Sequence, residues 1–183
     1  MTPDEARDLM HEWTQSPSLR AHMEAVGACM AAYARRLDPG NEARWRTAGI
    51  LHDFDYERHP SAAEHPVVGV RHLETLGVDR ETLDAILGHA EHTGAARETP
   101  MARALFAVDE LAGFIVACAK VRPSGVADLE PKSVKKKLKD KAFAAAVSRE
   151  DIARGAEELG VDITEHIGVC IDAIRAESAT VGV

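Results

Sequence analysis

Apolar residues recur three and four positions apart along almost the whole of this 183-residue chain, punctuated by glycine and proline and without an alternating strand pattern. That periodicity predicts an all-α fold. Aromatic residues make up only 4% of the chain, so the core must rely on Ala, Leu, Val and Ile, which favours closely packed helices. The length suits one domain that can bury a core without disulfides or a structural metal. No repeat or low-complexity linker divides it. The expected organisation is a single domain over residues 1–183, with a core of about 18–122 and a C-terminal helical extension of about 123–183.

Punctuation places the helices. One runs from Pro3, behind a Thr2 cap, to Trp13, and a long one starts after Ser16 and stops at DPGN. A third begins near Asn41 and ends at the pair His52-Asp53, followed by a loop over residues 54–64. The next helix ends at Gly77, the following one spans Asp79 to Gly94, and the longest apolar segment, Thr99 to Val121, is stopped by Pro123. Beyond it come three shorter helical patterns separated by Pro131, Ser148 and Gly160.

Composition excludes several function classes. Cys29, Cys118 and Cys170 are odd in number, far apart and set among apolar residues, as reduced core thiols are. No window approaches the roughly 18 consecutive apolar residues of a membrane span, and the acidic N-terminus lacks a leader's apolar stretch, so a cytoplasmic protein is expected. A net charge of −8 argues against a nucleic-acid polymer as partner.

The chemistry lies where helical apolar patterns break. Asp109 sits amid Leu105, Phe106, Ala112 and Gly113, and a carboxylate there is costly to bury unless it is paired or binds a cation. His22, the pair His52-Asp53 and His89 interrupt three other apolar helices, and seven of the nine histidines fall between His22 and His92. Any one of these histidines suits a core residue satisfied by a backbone carbonyl. Together, ligand-type residues in four successive helices point to one shared cation, and imidazole plus carboxylate donors suit Mn, Fe, Co, Ni or Zn better than Ca.

The ordered set His22, ILHD with His52 and Asp53, and a distant Asp109 resembles the HD superfamily of metal-dependent phosphohydrolases, all-helical proteins with a central metal. The likeness covers about residues 18–122 and implies that His22, His52, Asp53 and Asp109 bind a first ion. HPVVGVRHLETLG and AILGHAEHTG resemble segments of the dinuclear branch, which implies that His65 and His89 bind a second ion with Asp53 bridging. Two departures stand out: Ala90 replaces the second His of an HH pair, and the GYP element is absent, so cyclic-dinucleotide hydrolysis is not implied. His92, three residues beyond His89 on a common helical face, is a substitute ligand or an acid–base group. The tail resembles that of a group of small HD-domain proteins, a likeness that brings no substrate.

Asp55 and Glu57 follow the His-Asp pair closely enough to manage water or a leaving group, and are candidate catalytic residues beside His92. Alternatively they cap a helix end or pair with Arg58. His72 is read as structural. Six lysines between Lys132 and Lys141 suit the solvated face of an amphipathic helix built on Val134 and Leu138. A phosphate would be held by one of them or by Lys120 and Arg122, at the end of the Asp109 helix. The reading is a hydrolase using one or two divalent transition ions on a nucleotide or small phosphorylated metabolite. Alternatives are a di-iron oxygenase that cleaves a carbon bond and a non-catalytic metal-binding sensor, and a homodimer stays open.

Overall fold

The computed structural model describes residues 1–183, all of them in helices, turns or connecting segments with no strand. The helices are α1 (Pro3–Trp13), α2 (Pro17–Leu37), α3 (Glu42–Leu51), α4 (Val67–Thr75), α5 (Arg80–His89), α6 (Pro100–Lys120), α7 (Pro131–Leu138), α8 (Arg149–Leu159), α9 (Ile163–Ala176) and α10 (Ser178–Val181). None is long and apolar enough to cross a membrane.

Helix starts are fixed by side chains that satisfy first-turn amides. Thr2 and Glu5 close a capping box on α1, and Ser16, Asp79, Thr99, Ser148 and Asp162 cap α2, α5, α6, α8 and α9. The expected helix from Asp79 to Gly94 is shorter than its sequence pattern. α5 stops at His89, where Ala90 turns extended (φ −100°, ψ 110°), and Glu91–Thr93 form a 3-10 turn closed by Gly94 in the left-handed region. The freed carbonyls are taken locally: the Thr93 hydroxyl lies 2.9 Å from Leu87 O and 2.8 Å from Ala90 O, and Arg97 donates to Gly88 O at 3.1 Å.

α6 lies in the middle, packed on α2, α5 and α8, while α2 also packs on α3 and α9. One apolar cluster of 42 buried residues runs from Ala6 in α1 to Val181 in α10, so the C-terminal helices contribute to the same core as the rest. A cluster poor in aromatics achieves this by close approach of backbones. A Cβ on Gly49 of α3 would stand 2.7 Å from the Cα of Gly27 in α2, and one on Gly155 of α8 would stand 2.6 Å from the Cα of Ala107 in α6. The tail is also tied in by His166: Tyr33 of α2 lies 2.5 Å from its Nδ1, and its Nε2–H is donated to Ala107 O at 2.9 Å. All three cysteines are free and buried, and burial pushes the Cys118 thiol up to about 11.

The lysine-rich segment is an amphipathic helix, with Val134 fully buried and Lys132, Lys135, Lys136 and Lys137 outside. Residues 141–147, which continue the pattern in sequence, form turns and bends.

Gly155→Ala should destabilise the fold despite the roughly 1 kcal/mol by which alanine favours a helix interior, because the new methyl meets backbone and overpacking typically costs about 1–3 kcal/mol. Urea unfolding should show a lowered midpoint with an unchanged slope; an unaltered or raised midpoint would show that α8 does not press on α6 in this way.

Candidate metal centre

Three elements deliver donors to one point. His22 comes from α2, His52 and Asp53 follow the last residue of α3, and Asp109 is near the middle of α6. The Nε2 atoms of His22 and His52 are 3.1 Å apart, and both face Oδ1 of Asp109, at 3.0 and 3.3 Å. Oδ2 of Asp53 stands 3.8 Å from the first imidazole and 3.6 Å from the second. The other oxygen of Asp53 serves a second group: its Oδ1 lies 3.2 Å from Nε2 of His65, in the turn before α4, and 3.4 Å from Nε2 of His89, the last residue of α5.

All of these spacings but the two to Asp53 Oδ2, which are slightly longer, fit a cation. Nitrogen and oxygen donors bind a transition ion at about 2.0–2.2 Å, so two donors on one ion stand roughly 3.0–3.5 Å apart. The imidazoles are also held in the tautomer that turns Nε2 toward the centre. Nδ1–H is donated to Gly49 O at 2.8 Å by His52, to Ile86 O at 2.6 Å by His89, and to Asp55 at 2.8 Å by His65. Two ring nitrogens pointed at each other across 3.1 Å need a proton or a cation between them.

Electrostatics agree. Burial opposes charge on His52, yet the carboxylates of Asp53 and Asp109 prevail and hold its ring up to about 9. Against the same opposition, Asp53 and Asp55 raise His65 to about 9. Asp53 and Asp109 are largely shielded from solvent, with side chains 18% and 19% exposed, which by itself would raise them, but the neighbouring imidazoles, His52 foremost, hold both below the usual carboxylate range. The cluster is a set of negative charges that takes up protons where no cation is supplied.

His52 lies fully buried behind the other five donors, which line a cavity of about 600 Å³. Tyr56, which meets His65 edge-on at 5.1 Å, stands at its side. The opposite wall is Phe106 and Glu110 of α6 with Val147 and Asp151 from the tail. Burial, then Asp109, push the Glu110 carboxyl up to about 7, although it accepts the Ser148 amide at 3.0 Å. Glu110, Asp151 and Tyr56 were missed in the sequence. Glu110 carries a faint signal as the neighbour of Asp109, whereas nothing in the tail's pattern marks Asp151.

Several expected site residues are placed differently. Asp55 is fully buried behind His65, with one oxygen on Nδ1 of that ring and the other accepting Gly69 N–H at 2.7 Å, so it does not face the cavity. Glu57 accepts the amides of Gln15 and Ser16 at 3.0 and 2.8 Å at the start of α2, the arrangement of the capping alternative, and is absent from the cavity wall. Arg58 donates to the Glu12 and Trp13 carbonyls at the end of α1 and leaves Glu57 unpaired with it. His72 packs on the Trp13 ring at 4.8 Å, a structural place. His92 does not share a helical face with His89, because α5 has ended; it reaches the cavity from the 3-10 turn and donates Nε2–H to His65 O at 2.7 Å.

Lys120 and Arg122 are absent from the cavity wall. A helix rises about 1.5 Å per residue, which carries Lys120 roughly 16 Å along α6 from Asp109. Arg122 pairs instead with Asp128 at 2.8 Å. The wall holds no lysine or arginine at all.

A family model described as HD domain matches residues 19–113, just over half of the chain, and all six donors fall inside that span. No curated protein and no solved structure matches the chain.

In chelator, the raised His52 and His65 contribute stability that is complete below about pH 6.5, the unfolded value, and is lost as pH rises through about 9. The depressed Asp53 and Asp109 contribute in the other sense, above about pH 4. Tm in EDTA should therefore fall from pH 6.5 to 9, while the gain on adding Mn2+ should grow over that range as imidazoles give up protons. A metal-induced gain that shrinks with rising pH would contradict this account.

Proposed function

The chain belongs to the HD-domain family, and from that membership we propose that it is a metal-dependent phosphohydrolase acting on a nucleotide or a small phosphorylated metabolite. The observation that supports this most is the Asp53 carboxylate, whose two oxygens face two separate sets of imidazoles. His22, His52, Asp53 and Asp109 would hold one divalent transition ion, and Asp53, His65 and His89 a second. Ions bound there supply Lewis acidity, lowering the pKa of a water and offsetting charge on a phosphoryl group.

The chain's own groups do the rest. Nδ1 anchors keep the Nε2 lone pairs of His52, His65 and His89 facing the centre. With Nε2–H committed to the His65 carbonyl, His92 keeps Nδ1 free to take or give a proton at the cavity side. Phe106 and Val147 offer apolar contact to the part of the substrate that does not react. With no lysine or arginine in the wall, an anionic substrate depends on the ions for its attraction. The same wall supports the alternative of a di-iron oxygenase, whose substrate needs no phosphate clamp.

Protein loaded with Mn2+ or Co2+ should hydrolyse members of a phosphate-ester and nucleotide panel and lose that activity in EDTA. Colour and stoichiometric iron after aerobic purification, with no turnover across the panel, would favour the oxygenase. Asp109→Ala should lose both metal and turnover, and full metal stoichiometry in that variant would refute its place as a ligand. His92→Asn should keep its metal and slow turnover by about 100-fold, the low end for a proton-transfer group; undiminished turnover would remove His92 from the chemistry.

A further inference from the structure

Three imidazoles of the centre are locked through Nδ1, but by two different devices. His52 directly follows α3 and His89 ends α5, so each finds three residues back a carbonyl from the last turn of a helix, a turn whose carbonyls lack amide partners within the helix: Gly49 and Ile86. His65 lies in a turn and has no helix behind it. A carboxylate stands there instead. Asp55, none of whose surface reaches solvent, accepts the His65 Nδ1–H on one oxygen at 2.8 Å.

Its second oxygen accepts Gly69 N–H at 2.7 Å. That amide belongs to the first turn of α4, whose N-cap position is Pro66 and supplies no capping side chain. One buried carboxylate therefore closes the N-terminus of α4, where a negative charge is favoured, and orients the imidazole two residues before that helix. The approach requires glycine, because a Cβ at position 69 would stand 2.7 Å from the carboxyl carbon of Asp55.

We infer that Asp55 is a positioning residue for the second ion, so that the His65–His89–Asp53 half of the centre depends on it and the His22–His52–Asp109 half does not. A full negative charge behind the His65 ring strengthens Nε2 as a donor more than a neutral carbonyl does. The inference rests on the two-ion reading proposed above.

Asp55→Asn keeps the shape, removes the charge and sets an amide hydrogen against either His65 or Gly69. Calorimetric titration with Mn2+ and elemental analysis should give two ions for the unsubstituted protein. In the variant, one ion should bind with unchanged affinity and the other about 10–100-fold more weakly, the usual cost of removing a ligand's hydrogen-bond partner. Equal weakening of both ions, or of neither, would overturn the inference, as would a single ion in the unsubstituted protein. A purely structural role would lower Tm without separating the two affinities. A second measurement needs no variant: long-range 1H–15N spectra of the zinc-loaded protein should show His65 as the Nδ1–H tautomer with the most downfield-shifted ring proton of the cavity histidines. Finding it as the Nε2–H tautomer would end the proposal. Two bound ions with no turnover on any phosphate ester would sink the hydrolase reading and leave the role of Asp55 standing.

Discussion

The centre depends on the placement of one carboxylate. Asp53 sits at a helix end with one oxygen toward His22 and His52 and the other toward His65 and His89. Four negative or lone-pair-bearing groups gathered around it are mutually unfavourable without positive charge, and the surrounding helices hold them there all the same. The dense Ala- and Gly-lined contacts of α2 with α3 and of α6 with α8 provide that constraint, since backbones in contact leave little room for a helix to shift and separate the donors.

The charged run after Leu51 has a separate task for each residue. His52 and Asp53 face the centre, and Asp55 turns back to hold His65. Glu57 takes the free amides at the start of α2, Arg58 takes the carbonyls at the end of α1, and His59 meets Glu64 at 3.3 Å. Thr14 adds a hydroxyl on the Phe54 carbonyl at 3.0 Å. A segment without regular structure is thereby tied to two helices and a neighbouring turn, and the donors at its beginning inherit that rigidity.

The helices were legible because apolar spacing and caps are local signals, and Thr2, Ser16, Asp79 and Thr99 start helices where the sequence marks them. The six donors were legible as polar breaks in apolar helices, and the structure brings them together. The functions assigned to Asp55, Glu57, Lys120 and Arg122 were not. Proximity in sequence cannot tell a side chain that faces a cavity from one that faces the back of a donor, whereas the 11 residues between Asp109 and Lys120 could be counted in the expected helix and place Lys120 far along it. The end of α5 was hidden because His92 and Gly94 continue the polar pattern after the backbone has turned at Ala90. His166 illustrates the converse: it also interrupts an apolar helix, but Tyr33 and the Ala107 carbonyl occupy both of its nitrogens.

Glu110 is the neighbour of Asp109 and accepts the Ser148 amide, so the start of α8 is hooked to the helix that carries a donor. Val147 and Asp151 thus bring part of the cavity wall from well outside the stretch that supplies the six donors. A change confined to residues 147–151 would therefore reshape the cavity without replacing any of the six donors.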